Sequence, residues 1–267
     1  MTETYIACEV SGHIATITLQ NPPLNLFKIE MTGQLDAVLE TLRHDDSVRA
    51  VVLTGSGKAF CAGSDIAEFE QFHLPGQVVE RKLRRQNAVF QKLDAFPKPV
   101  VAAIHGLAFG GGLEIALCCD LIVAESDSRF ALPEMRLGVF PSSGGPYRAV
   151  RRIGEGRTKQ LIFLTESVDA DTALQWGLID RIAAKGESLE AGRALAAEMA
   201  KRPALAFALC KPLIDEATRL SSPELIARSL EASDAVFTSA DCKEGVRAFF
   251  AKETPDFNPT PATPEAP

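Results

Sequence analysis

Tryptophan occurs once in this 267-residue chain, tyrosine twice and histidine four times, and no apolar run is long enough to cross a bilayer. Basic residues are outnumbered, 28 Lys and Arg against 35 Asp and Glu, and the formal net charge of −7 argues against nucleic acid as the main partner. None of the six cysteines forms a Cys-x-x-Cys pair, and Cys118 and Cys119 sit side by side in an apolar stretch. Reduced, buried thiols in a cytoplasmic setting are therefore expected. His13 and His105 lack Cys, His or acidic neighbours at metal-ligand spacing and read as structural, while His73 reads as a solvated loop residue, so no metal site is expected. The first residues lack a basic-apolar leader pattern and Arg43 is the first arginine, so neither a secretory signal nor a mitochondrial presequence is expected. No internal repeat is evident. Two nucleotide motifs also fail: Phe60 occupies the place of the third glycine after Gly55-Ser56-Gly57, and Gly57-Lys58-Ala59 lacks the Ser or Thr of a P-loop.

Apolar residues make up 46% of the chain, ordinary for a globular protein able to bury a large core. Ile14 to Leu19 alternates like a strand and is broken by Asn21-Pro22-Pro23. Pro99 to Ile104 is a buried-type strand, Gly110-Gly111-Gly112 a glycine turn, and Leu113 to Cys119 a buried helix. Glycines there let a backbone approach a ligand, and the first amides of the helix have no internal partner, so the turn has the form of half an oxyanion hole. Taken alone, it fits a tight turn where helix packs on strand better still.

A second element of this kind lies upstream. The strand Ala50 to Thr54 runs into a small-residue loop ending at Ser64, where Asp65 and Glu68 have the form of a capping box for a following helix. Downstream, Pro133-Glu134 places a carboxylate where a helix N-terminus favours one, and the same explanation serves for Glu114. If the two carboxylates share one pocket, each opposes ionisation of the other and one can hold a proton near neutral pH.

Taken together, these segments resemble the crotonase superfamily, the enoyl-CoA hydratase/isomerase family, from about Ile6 to Lys252. The motifs are Asn21-Pro22-Pro23-Leu24-Asn25, Phe60 to Ile66, Lys98 to Gly106 leading into Gly110 to Glu114, Cys119 to Ala124, Phe130 to Glu134 with Leu137-Gly138, Ala173 to Asp180 and Lys243 to Phe249. Each is weak alone; their order and spacing are specific. The resemblance implies an α/β fold, a spiral of β-β-α turns with a C-terminal helical region that builds a trimer, two trimers often pairing into a hexamer. Periodicity and composition divide the chain into an α/β core over 1–195, a helical region over 196–254 with helices in Ala204 to Thr218 and Pro223 to Phe237, and a Pro-rich, disordered tail over 255–267; the resemblance makes the helical region the trimer contact.

The resemblance further implies that the backbone amides of Ser64 and Gly111 grip the thioester carbonyl of an acyl-coenzyme A as it becomes an enolate. Glu114 and Glu134 match the pair that hydratases of the family use, whereas many isomerases need only the second. Hydration of a trans-2-enoyl-CoA to a 3-hydroxyacyl-CoA is thus favoured, with no metal or redox cofactor, coenzyme A being part of the substrate. Double-bond isomerisation, a more specialised acyl-CoA reaction and a non-catalytic acyl-CoA-binding protein are the alternatives. Coenzyme A is assigned to Leu24, Leu26, Ala62, Asp65 and Ile66, with Phe249 and Lys252 reaching its 3′-phosphate from a neighbouring subunit. Lys28 and the cluster Arg81-Lys82-Leu83-Arg84-Arg85 are further candidate phosphate partners, the cluster reading equally as an exposed helix face. Pro146-Tyr147-Arg148 departs from the Thr-Gln-Arg of typical hydratases, and 68–85 falls where the family varies its acyl cavity.

Overall fold

A computed structural model describes residues 3–257. The contact pattern divides the chain into two compact units, one ending at Ala197 and the other beginning at Glu198.

The first unit begins with an antiparallel pair, β1 (Ile6–Ser11) and β2 (Ile14–Leu19), followed by α1 (Ile29–Arg43) and β3 (Ala50–Gly55). A 3-10 turn over Ile66–Gln71 and a π-helical turn over Val79–Leu83 lead into α2 (Arg84–Asp94). Then come β4 (Val100–Ile104), β5 (Leu107–Phe109), α3 (Gly111–Ala116), β6 (Leu121–Glu125) and β7 (Arg129–Ala131). After a 3-10 turn over Glu134–Leu137 follow α4 (Gly145–Phe163), kinked at Gly154, then β8 (Val168–Asp169), α5 (Ala170–Trp176), β9 (Arg181–Ala183) and α6 (Ser188–Ala200).

Six strands form one sheet in the order β1-β2-β3-β4-β6-β9, parallel from β2 onward. Buried on both faces, β3 and β4 need near-continuous apolar sequences, which Ala50-Val51-Val52-Leu53 and Val100 to Ile104 supply. Thr54, the polar exception, donates its hydroxyl to Ala103 O at 2.9 Å. On α1, Met31, Leu35, Leu39 and Leu42 recur at helical spacing and are buried. Each such side chain contributes about 1.5–3 kcal/mol through burial. Phe27 and Phe90 meet edge to face, 5.6 Å between centroids, and tie the entrance of α1 to α2.

A second, three-stranded sheet, β5-β7-β8, carries the segments around both glutamates. The strip Phe60 to Ser64 is laced to both β4's outlet and this sheet. Phe60 N–H donates to His105 O, Cys61 N–H to Leu107 O, and Phe109 N–H to Cys61 O, all at 2.8–3.0 Å. Three-residue β5 was absent from the sequence reading, in which β4 ran directly into the glycine turn; a strand so short carries too little periodicity to show.

The second unit holds α7 (Ala204–Glu216), α8 (Ser222–Phe237) and α9 (Ala240–Ala251). Ser221 and Glu224 close a capping box on α8, and Ser239 caps α9 through Cys242 N–H. Phe249 and Phe250 are 78% and 80% exposed. Of the Pro-rich tail, Pro255 to Phe257 are described, Asp256 N–H donating to Glu244 at 3.2 Å; the remainder lies outside the described residues. Among the described residues no helix is long and apolar enough to cross a membrane.

Candidate active site

Ser64 and Gly111 are brought together by the strip from Phe60 to Ser64. A parallel bridge joins Ser64 to Phe27: Phe27 N–H donates to Gly63 O at 2.8 Å and Asp65 N–H donates to Phe27 O at 3.1 Å. In such a bridge the bonds come from the residues on either side, so the N–H of Ser64 itself points away from Phe27. Gly111 opens α3, where the first amides have no intrahelical partner. A Cβ on Gly111 would lie 3.6 Å from Ser64 N, so the two residues are neighbours.

The glycines around them follow from close approach. Gly110 has φ +49°, a region that favours glycine, and a Cβ on Gly112 would fall 2.1 Å from Cys61 O. Asn25 holds the upstream loop in place. Its buried side-chain amide donates to Ser56 O at 2.6 Å and Ala59 O at 2.7 Å, while its oxygen accepts Asn21 N–H at 2.9 Å. Ala62 N–H donates to Leu24 O at 2.9 Å, which aligns Leu24 with the Ala62 strip, and Leu26 is half-buried beyond it.

A cavity of about 390 Å³ opens in front of this pair, lined among others by Ala62, Ile66, Phe69, Phe109, Glu134 and Leu137. Its rim includes Thr165, a β-branched residue at φ +57°, whose hydroxyl and carbonyl both accept from Arg136 at 2.8 Å.

The two carboxylates have different surroundings. Glu114, on α3, is 3% exposed; its Oε1 accepts Ser143 N–H at 2.7 Å and Gly145 N–H at 2.9 Å. Burial nonetheless pushes its pKa up to about 7, against the lowering effect of those amides and of the charges on Arg148 and Lys82. Glu134 has no hydrogen-bond partner for its buried Oε2 among the described residues. Burial first, and the charge of Glu114 second, raise its pKa to about 8. In both, desolvation is the largest influence and acts against ionisation. The pair shares one electrostatic environment in which a proton is held near neutrality.

The structure corrects the helix at Asp65. Asp65 caps only the short 3-10 turn, accepting from Ala67 N–H at 3.1 Å. Glu68 does not return to it, because two stronger demands compete: Ile29 N–H at the mouth of α1, 2.9 Å, and the buried ammonium of Lys82, 2.9 Å. The basic cluster is correspondingly split. Arg81, Arg84 and Arg85 are exposed, whereas Lys82 is 4% exposed and turned inward over the Phe69 ring. Lys28 bonds Tyr5 Oη at 3.1 Å. Phe249 and Lys252, the latter left-handed at φ +57° where α9 ends, belong to the second unit. Among the described residues no group of three or more His, Cys, Asp or Glu is placed to hold a metal ion.

Several residues around Glu114 escaped the sequence reading. The amides belong to Ser143, on the turn before α4, and to Gly145, the first residue of α4; Arg148 anchors that turn by donating to Ser143 O at 3.0 Å and pairing with Asp94 at 3.3 Å. The departure from Thr-Gln-Arg lies at Pro146 and Tyr147 and leaves this arginine in place. Elsewhere, on α2, Gln86 is a buried polar residue heading the apolar stripe Val89, Phe90 and Leu93, a signal visible in the sequence as a polar residue at a core position.

Two sheets bridged by the strip from Phe60 to Ser64 thus bring the Ser64 and Gly111 amides, the buried Glu114 and the cavity-lining Glu134 into one region of the fold. The sequence matches the profile described as enoyl-CoA hydratase/isomerase over residues 9–260, and the chain belongs to that family. It is 34% identical to the short-chain-enoyl-CoA hydratase of Clostridium acetobutylicum, over 92% of this chain and 95% of that protein. It is 37% identical to a putative enoyl-CoA hydratase of Thermus thermophilus, over 92% and 98%. Among solved structures, Pseudomonas aeruginosa DspI superposes with a TM-score of 0.91 at 36% identity, covering 96% of this chain and 98% of that one.

Proposed function

We propose that this protein is an enoyl-CoA hydratase, adding water reversibly to a trans-2-enoyl-CoA to give a 3-hydroxyacyl-CoA. The observation that carries the reading is the pair Glu114, buried, and Glu134, lining the cavity, both raised toward neutrality beside the Ser64 and Gly111 amides. The amides hold the thioester oxygen. Glu114 takes a proton from water as its oxygen bonds C3; the C2–C3 π electrons move to the thioester as an enolate, and Glu134 delivers a proton to C2. Aligned amides in a site shielded from water stabilise that enolate with little reorganisation, each worth about 3 kcal/mol. The residues supply acid, base and anion stabilisation themselves, and the reading calls for no metal or redox cofactor. Leu24, Leu26, Ala62, Asp65 and Ile66 are assigned to coenzyme A, with Phe249 and Lys252 of a neighbouring copy at its 3′-phosphate.

The same reading makes residues 1–195 the catalytic core and 196–254 the assembly region of a trimer or hexamer, supported by the exposed phenylalanines of α9. A cytoplasmic role in fatty acyl breakdown fits a 2-enoyl thioester substrate. One observation favours isomerisation as a second reading: Glu134 lines the cavity whereas Glu114 is buried and held by two amides, and moving a proton between two carbons can rely on a single carboxylate. A panel of 2-enoyl and 3-enoyl thioesters, read by loss of conjugated-thioester absorbance and by mass, tests the two. Gain of one water supports hydration; an isobaric product overturns it in favour of isomerisation.

A further inference from the structure

We propose that Arg136 is a positioning residue for Glu134: its guanidinium, forked onto Thr165, fixes the turn that carries the carboxyl and so sets where the proton carrier stands in the cavity. The inference rests on the acyl-thioester reading above and deepens it.

Glu134 needs support from outside itself. Its Oε2 is buried with no hydrogen-bond partner among the described residues, so the carboxyl is placed by the backbone beneath it. That backbone is the 3-10 turn Glu134–Leu137, a form whose hydrogen-bond geometry is poor and which is used only in short pieces. None of its residues is buried, and Met135 and Leu137 are 43% and 50% exposed, so apolar packing adds little.

The sheet cannot hold the turn either. β7 ends at Ala131, with Phe130 opposite Val168 of β8. Continued by three residues, that antiparallel register sets Pro133 opposite Thr165, and proline has no N–H with which to extend a ladder. Arg136 supplies donors from its side chain instead: Nε donates to Thr165 Oγ1 and Nη2 to Thr165 O, each at 2.8 Å. Two bonds from one planar fork fix orientation as well as distance.

Thr165 is itself held for this contact. It is β-branched at φ +57°, a conformation that persists only where the surroundings over-determine it. Its hydroxyl donates to Leu164 O at 2.6 Å, which leaves the acceptor side of the oxygen to Arg136. Arg136 and Thr165 line the same cavity as Glu134. Burial and the charge of Glu114 are what raise the Glu134 pKa, so Arg136 acts on that carboxyl through the backbone of the turn.

The test is Arg136→Met, which keeps the aliphatic stem and removes the fork, assayed on whichever of the 2-enoyl and 3-enoyl thioesters the wild type turns over. We expect kcat to fall about tenfold or more with KM changed less than about twofold, and Arg136→Lys to recover part of the loss. A carboxyl no longer held in its buried place returns toward its ordinary value of 4.5, so the limb of the kcat/KM profile near pH 8 should move down by about one unit or more. Thr165→Gly relaxes the backbone and removes the hydroxyl; alone it should lower kcat less than Arg136→Met, and added to Arg136→Met it should cost nothing further. If Arg136→Met does not fold in a thermal melt, the limb position in Thr165→Gly decides. Unchanged kcat, a raised KM with kcat intact, or a fall in kcat with the limb in place overturns the proposal. The two readings fail separately. An isobaric product with the expected losses sinks only the hydratase assignment, since Glu134 handles the proton in either reaction, whereas gain of water unaffected by Arg136→Met sinks only this one.

Discussion

The carboxyl of Glu134 occupies the space that a side chain on Gly110 would fill: a Cβ there would come within 2.8 Å of Glu134 Oε1. Gly110 also sits at φ +49°, so it is required twice over, by its own backbone and by its neighbour's carboxyl. Gly110→Ala is expected to displace Glu134 and lower kcat about a hundredfold, the scale of a lost acid–base group. Steady-state kinetics beside a circular dichroism melt check this; unchanged kcat in a folded variant contradicts it.

Gly111→Pro removes one amide while keeping a residue that the first turn of a helix accepts. The added ring faces the Ser64 hydroxyl at about Cβ distance 3.2 Å, a group able to rotate aside. Turnover is expected to fall about 10²–10³-fold with the protein still folded. Normal turnover would remove Gly111 from the site.

Glu114→Gln and Glu134→Gln keep size and remove proton chemistry. In a hydratase each single variant loses activity on a 2-enoyl-CoA by about 10²-fold or more. The double variant loses far less than the product of the two, since groups serving one step are non-additive. Full activity in Glu114→Gln with none in Glu134→Gln transfers the assignment to an isomerase.

Hydration needs one carboxyl protonated and the other ionised. With the pair raised to about 7 and about 8, kcat/KM is expected to follow a bell between limbs near those values, which belong to the pair jointly. A single rise to an alkaline plateau would instead indicate one ionised base acting alone.

Stability should carry the same signature. Both carboxyls move up from an ordinary value of 4.5, so the folded state binds more protons than the unfolded one between that value and about 8. Their favourable contribution is complete below about pH 4.5 and is lost as pH rises through the folded values. Glu134→Gln, always neutral, should therefore gain melting temperature over the wild type increasingly from pH 5 to pH 9. A constant gap in differential scanning fluorimetry would refute the desolvated carboxyl.

Much of this was legible in sequence because it depends on patterns with a single physical cause. The parallel strands β3 and β4 had to be continuous apolar runs, and the triplet at Gly110 had to be glycine where backbones crowd. What escaped detection depends on partners distant in the chain. Glu68 turns from Asp65 to Ile29 and Lys82; β5 exists because the Cys61 strip runs beside it; the Ser143 and Gly145 amides reach Glu114 only through the fold. Gln86 was visible as a letter, but the burial of its amide without a hydrogen-bond partner among the described residues appears only once the helix is packed.

The placement of Ser64 and Gly111 has a consequence for how such a protein can change over generations. In this reading the carbonyl is gripped by main-chain N–H groups, which every residue but proline retains, while proton handling is left to two side chains that a single-nucleotide change can replace. Activation of the thioester is thereby shielded from mutation, and the reaction performed on it is exposed. A lineage built on this strip can trade one transformation for another at Glu114 or Glu134 without first losing the means to bind an enolate.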